Sequence, residues 1–333
     1  ANGHATSVTR AVGQPEQQTT SFERDLATNL LMSSTDALGR KTSYSYDSKG
    51  NQTSQTYLAG TPDAITSSAT YSSATYSSDY NQLTSITDPL HQVTSFTYDS
   101  LGNLQQITDA NNKQLQFRTN AAGQLTEFTD ARNKTTRFGY DGYDLSSITD
   151  PLTRSVTLRT DAIGRTVSTT DPLTQRSINT IDSVDRVTSI TDPNSQNTGF
   201  GYDNNDNLTS VTDANSHSTG FSYDDRNAVT GKTDALSQGS SIVYDNEHRI
   251  KQSTDRKNQT TKYQYDSLNR LRTVTYADNS TITHTYDAGN RLTQLADSIN
   301  GNIGFVYDNL DRITQVTSPK GVVNYTYDAN GQR

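Results

Sequence analysis

Aspartate recurs along this chain at one phase, and a row of carboxylates is a natural site for a hard cation such as calcium. Asp203, Asp224, Asp245 and Asp266 follow one another at intervals of 21 residues, so equal phases that stack would line them up. A calcium row predicts a melting temperature that falls on chelation. Yet the glycine-rich nonapeptide of calcium-binding β-rolls is missing, and turn capping accounts for aspartate at such a place. Five histidines, His4, His91, His217, His248 and His284, are scattered, with no pair at metal-ligand spacing, and read as structural or solvated. Serine is abundant, but no G-x-S-x-G elbow supports a nucleophile. The reading is therefore a chain that is not an enzyme, with no catalytic, cofactor-binding or metal-binding residues. Nineteen tyrosines offer one more chemistry, a flat strip for stacking sugars, against the plainer reading of an aromatic ladder that belongs to the core.

The elements that place these residues follow from the period. Taking the aspartate as the mark, the series runs Asp99, Asn120, Asp141, Asp161, Asp182, Asp203, Asp224, Asp245, Asp266, Asp287, Asp308 and Asp328, in steps of 21 with two of 20. Tyrosine precedes it at Tyr46, Tyr98, Tyr140, Tyr202, Tyr223, Tyr244, Tyr265, Tyr286, Tyr307 and Tyr327, while Thr119, Thr160 and Ile181 are degenerate members. Such self-similarity marks a repeat array. Upstream of each Tyr-Asp the large side chains alternate, as in Phe200-Gly201-Tyr202 and Phe305-Val306-Tyr307, and a period of two with aromatic and β-branched residues predicts a strand.

Three residues after the aspartate stand Gly50, Gly102, Gly123, Asp144, Gly164, Asp185, Asp206, Asn227, His248, Asn269, Asn290, Asp311 and Gly331. These types tolerate positive φ, so a hairpin turn through the left-handed region is expected at all of them. The returning strand opens on an aliphatic residue, such as Leu208 or Leu271, and carries a second three later, Val211 or Val274. An odd offset puts the two on opposite faces of a regular strand, so either a bulge intervenes or both faces are covered. A second turn opens at Thr-Asp, as at Asp88, Asp150 and Asp234, and five prolines follow that opening position, Pro89, Pro151, Pro172, Pro193 and Pro319. Each repeat is thus strand, turn, strand, turn. It cannot stand alone, and neighbours must supply the pairing and a second wall of core. The fold class is all-β, a repeat array of 21-residue hairpins in a long antiparallel sheet, read as one domain over residues 1–333.

Apolar residues make up only 30% of the chain, but the strict period argues against disorder. The 28 basic and 36 acidic residues leave a net charge of -8 without runs, which excludes an electrostatic footprint for nucleic acid. Cysteine is absent, so there are no disulfides or thiolate metal sites, and no stretch approaches a membrane span. The opening Ala1-Asn2-Gly3-His4 matches Ala329-Asn330-Gly331-Gln332, so both ends read as cut in mid-repeat. Between Asp47 and Asp99 the period breaks, and the excess falls in the tract 59–80, read as an insertion: a surface loop or widened hairpin, or a binding loop displaying Tyr57, Tyr71 and Tyr76.

The unit Tyr98-Asp99-Ser100-Leu101-Gly102-Asn103-Leu104, with Thr108-Asp109 after it, closely resembles the RHS or YD repeat, as do the units at Tyr265 and Tyr286. The match runs through nearly the whole chain. What the resemblance implies is a β-sheet strip that spirals into a hollow shell, as in bacterial polymorphic toxins, the C component of insecticidal Tc toxins and animal teneurins. In the bacterial toxins the shell holds a C-terminal toxic domain released by self-cleavage in an aspartate-containing core segment. In teneurins it is part of an adhesion receptor. A core segment of the type DPxGL followed by a variable domain does not occur here before Arg333, so neither self-cleavage nor toxin activity is assigned to these residues. The leading expectation is a structural shell or scaffold of a secreted or cell-surface bacterial protein, whose partner is the C-terminal effector of the same protein. The alternatives are an adhesion module for a surface receptor or glycan, and an open stalk or filament.

Overall fold

The computed structural model describes residues 3–61, 64–71, 81–328 and 331–333. The alternating sequence forms thirty β-strands among them and no helix. Thus no helix is long and apolar enough to cross a membrane. Consecutive strands pair antiparallel, as where Asn197–Tyr202 pairs with Leu208–Thr212, and that strand with Ser218–Tyr223. The chain is therefore an all-β array of antiparallel hairpins. It comprises two compact units, one of Ala1–Gly102, Thr108–Asn112 and Thr261–Arg333, the other of Asn103–Ile107 and Lys113–Thr260.

The two aliphatic residues of the returning strand share a face because a bulge intervenes. Tyr202 pairs with Leu208 and Gly201 with Ser210, so Thr209 is the extra residue, and Phe200 then meets Val211. The same shift recurs between Thr285 and Tyr286 and between Val306 and Tyr307. Threonine suits the bulge because its hydroxyl can bond the carbonyl just before the tyrosine position: Thr293 donates to Thr285 at 3.1 Å and Thr126 to Arg118 at 3.1 Å.

Both turn types have one wiring, a type I turn closed by a left-handed residue. In the Tyr-Asp turn the N–H of Asn290 donates to the Asp287 carbonyl at 3.1 Å, and in the Thr-Asp turn that of Thr153 donates to Asp150 at 3.0 Å. Of the thirteen expected left-handed positions, twelve have positive φ. The exception is Asp144. There a two-residue turn, Gly142-Tyr143, joins Asp141 to Asp144, with the positive φ at Gly142, and this shortening explains one of the two 20-residue steps. Ser318 paired to Gly321 across Pro319-Lys320 explains the other.

Sequence reasoning did not foresee the left-handed residue of the Thr-Asp turns, which includes threonine at Thr153 and Thr174, both with φ of 64°. A β-branched residue is strained there. Thr174→Asn is expected to stabilise its hairpin by about 1 kcal/mol, read as slower amide exchange across 166–181; unchanged or faster exchange refutes it.

The expected second wall of core is not what holds the strands. Among the described hydrophobic residues only Leu58 and Val274 are buried, and neither completely. Most apolar side chains of the strands are half-buried, others such as Ile178, Val243 and Val306 are exposed, and cross-strand pairs such as Phe117 and Phe128, 5.4 Å apart, replace interlayer packing. Within the tract 59–80, residues Ile65–Tyr71 form a regular strand paired on both sides. Residues 72–80, with Tyr76, lie outside the described residues, so the binding-loop reading falls largely there.

Candidate functional site

The aspartates that opened the sequence analysis are occupied by protein donors. In the turn of Asp182, Oδ1 accepts the N–H groups of Val184 and Arg186 at 3.0 Å each, and Oδ2 accepts Arg186 Nε at 2.8 Å. The same guanidinium reaches the next repeat: Nη1 donates to the Asp203 carbonyl at 3.2 Å and to Asp206 Oδ1 at 2.7 Å, and the group lies 4.8 Å from the Tyr202 ring centre. Arg270 and Arg291 repeat this on Tyr286 and Tyr307. Each arginine therefore clips two successive turns together. The tyrosine hydroxyl makes the complementary link on the strands, as Tyr202 donates to Val187 and Tyr286 to Leu271, both at 2.9 Å. These arginines were missed from sequence, although the spacing Tyr-Asp-x-x-x-Arg at Tyr265, Tyr286 and Tyr307 is legible there.

At Asp266, Asp287 and Asp308, burial pushes the carboxyl up. Hydrogen bonds from the arginine four residues on, backbone and side chain, outweigh it and hold each group below the ordinary carboxylate range. A depressed folded value means stability that is present above the unfolded value and lost as pH falls through the folded one. The thermal midpoint is thus expected to fall steadily as pH drops below about 4, where free aspartate protonates. A midpoint that stays flat through that range refutes the role given to these carboxylates.

A second use of the same wiring appears within the first unit. The Thr-Asp turn of Asp36 holds Arg40 as the Tyr-Asp turns hold theirs, with Nε at 2.7 Å from Asp36 Oδ2. Its Nη1 donates to the Asn309 carbonyl at 3.0 Å and to Asp311 Oδ1 at 2.5 Å, 271 residues away. Asp311 also receives Arg291 at 3.1 Å, so one carboxylate serves a neighbouring repeat and a distant one. Gln18 and Asn290 exchange two hydrogen bonds at 2.8 and 3.0 Å, and Ser267 donates to Glu16 at 2.8 Å. Leu38 fills the space where a Cβ on Gly289 would come within 2.6 Å of its Cδ1. The contact is one-sided in kind: Thr-Asp-side turns of the first repeats meet Tyr-Asp turns about thirteen repeat lengths on. Thr42, Leu58 and Leu310 help line a cleft of about 390 Å³ beside it.

The histidines are not brought together. His4 is exposed, His91 and His248 take left-handed turn positions, and His217 Nδ1 lies 3.1 Å from Asp213 Oδ2. His248 stacks on Tyr244, and His284 stacks on Tyr286 with Nδ1 buried and unpartnered. Among the described residues no group of three or more His, Asp or Glu side chains is placed to hold a metal ion.

Hairpins of this length, clipped turn to turn by arginine on aspartate and tyrosine, define a class of repeat protein. The RHS Repeat profile matches residues 25–62, 78–114, 120–155, 182–216 and 202–238, and the Teneurin YD-shell profile matches 234–332. The chain belongs to the RHS/YD-repeat family. No match was found among curated proteins. The fold is similar to the crystal structure of TcdB2-TccC3-Cdc42, with TM-score 0.74 and 12% identity over 96% of this chain and 21% of that one. It is similar also to a TccC3-mutant Photorhabdus luminescens Tc holotoxin pore, with 0.72 and 14% over 94% and 21%. A third likeness is to TcdB2-TccC3 without its hypervariable C-terminal region, with 0.53 and 11% over 96% and 23%. The chain spans about a fifth of the length of these solved chains. At such identities the likeness concerns the fold.

Proposed function

We propose that these repeats are wall: a coiling RHS/YD strip of a larger secreted or cell-surface bacterial protein that encloses or carries a C-terminal effector or toxin domain of the same protein. The wall itself performs no catalysis. The observation that carries this reading is the seam of Arg40 on Asp311. Repeats that meet again after 271 residues belong to a strip that turns back on itself, and successive turns locked edge to edge make a wall where a straight strip makes a stalk. Two further findings support it. The turns spend their aspartates and arginines on one another, which leaves stiffness as their product. The similar structures are Tc toxin assemblies, one of them defined by the absence of a hypervariable C-terminal region. The test is a cryo-electron microscopy map of the longer protein that contains these repeats. A closed wall with density in its lumen is expected; an open strip, or a closed one that is empty, overturns the proposal and favours the stalk or the adhesion module.

A further inference from the structure

Four residues after the turn aspartate stands the donor that makes the clip: Arg165, Arg186, Arg270 and Arg291, and after Asp203 the amide of Asn207, whose Nδ2 reaches Asp203 Oδ2 at 2.9 Å and Asn227 Oδ1 at 2.8 Å. After Asp224 that place is held by Ala228, which has no donor to offer. Arg186 shows what is lost, since its Nε bonds Asp182 Oδ2 and its guanidinium lies 4.8 Å from the Tyr202 ring centre. The corresponding partners here are Asp224 Oδ2 and the Tyr244 ring. Both are met from the next turn by His248, at the left-handed position with φ of 64°. Its imidazole stacks on Tyr244 with ring centres 5.0 Å apart, and Nδ1 lies 3.9 Å from Asp224 Oδ2. The imidazole thus replaces the missing guanidinium on the same two partners.

We propose that the junction between the turns of Asp224 and Asp245 is a pH-dependent clip. Protonated, His248 ties the Asp224 carboxylate and the Tyr244 ring to its own turn, as arginine does at other junctions. Neutral, it carries no charge to either, and the junction is left to strand pairing and to Arg226, whose Nη1 donates to the Asn246 carbonyl at 3.3 Å. The other charged groups around the imidazole leave Asp224 as its counter-ion. Asp224, Asp225, Arg226 and Asp245 line one cleft of about 390 Å³ with it. Of these, Asp245 is neutralised by Arg249 at 2.7 Å, which also holds Glu247 at 3.2 Å. Asp224 is kept below the ordinary carboxylate range by the Ala228 N–H, with help from the Arg226 N–H and His248, and so stays ionised where histidine titrates. Free imidazole takes up its proton near about pH 6.5, so the pair carries both charges from there down to the carboxylate range. A guanidinium is charged throughout, and the arginine junctions do not respond.

Amide hydrogen exchange of the chain at about pH 7.5 and about pH 5.5 tests this, with each rate divided by that of an unstructured peptide at the same pH. Protection over 223–250 is expected to rise about threefold at the lower pH, while 182–207, clipped by Arg186, stays level. His248→Asn, a residue type that the same position already bears at Asn269 and Asn290, should abolish the rise. Asp224→Asn should do so too while keeping the turn cap, as Asn120 caps its own turn. Ala228→Arg supplies the missing guanidinium and should protect 223–250 equally at both pH values. Wild-type protection that is level between the two pH values overturns the proposal, and so does a rise that persists in His248→Asn. The clip acts between neighbouring repeats, whether or not the longer protein closes around a lumen.

Discussion

Tyr286→Ala is expected to loosen the repeats around it by about 3 kcal/mol, within the range for removing a large ring from a packed site. Four interactions end with that ring: the hydroxyl bond to Leu271 at 2.9 Å, the Arg270 guanidinium 4.5 Å from its centre, the cross-strand contact with Leu292, and the stacking of His284. Tyr286→Phe removes only the first and is expected to cost about 1 kcal/mol. The difference is what the ring and its cation contribute. Because a repeat array opens locally, the measurement is amide hydrogen exchange over 271–297, with repeats near 200 as an internal reference. Equal losses in the two variants would show that the hydroxyl alone ties the strands and that the ring over the guanidinium adds nothing. A loss spread evenly along the chain would contradict the nearest-neighbour wiring.

The seam is the second place where a small change has a large consequence. Leu38→Asp/Arg40→Ala removes the aliphatic plug at Gly289 and the cation on Asp311, and it sets a carboxylate close to Asp287. A half-buried ion pair on its own is worth little, but an unpaired charge beside another carboxylate, together with lost leucine burial, is expected to cost about 3 kcal/mol. Exchange should rise over residues 11–40 and at 287–311 together, although the two stretches lie at opposite ends of the chain. A rise confined to 36–40 would mean that Gln18, Glu16 and their partners hold the seam without Arg40. Arg291→Ala offers a contrast: it breaks a link between neighbouring repeats and should loosen only 287–312, leaving Arg40 its partner.

How much of this is visible without coordinates differs from one residue to another. At Asn269, Asn290 and Gly102 the left-handed turn is legible because only a few residue types tolerate positive φ, and the period repeats the choice until it cannot be missed. Thr153 and Thr174 hide the equivalent turn because threonine is a poor resident of that region and gives no signal. The bulge at Thr209 was one of two readings of the Leu208 and Val211 spacing, and the pairing register selected it. Asp144 was misplaced by one rule applied too evenly, since a two-residue turn moves the positive φ to Gly142. The arginine clips were present in the spacing of Arg270 and Arg291 after Asp266 and Asp287, but what a guanidinium reaches on the next repeat is a matter of distance between strands.

The chain by itself determined that it is a repeat array, all-β, built of hairpins with aspartate-capped turns, and of which family. Strand periodicity, turn chemistry and a 21-residue period are properties of neighbours along the chain, and they survive in one dimension. Which turns meet across 271 residues was left to the tertiary structure. That register is the sum of small rotations at each hairpin, every one set by twist and bulge geometry, and no residue type encodes the total. Nothing in the motif around Leu38 names Gly289 as the residue it covers; only the accumulated curvature brings the two together.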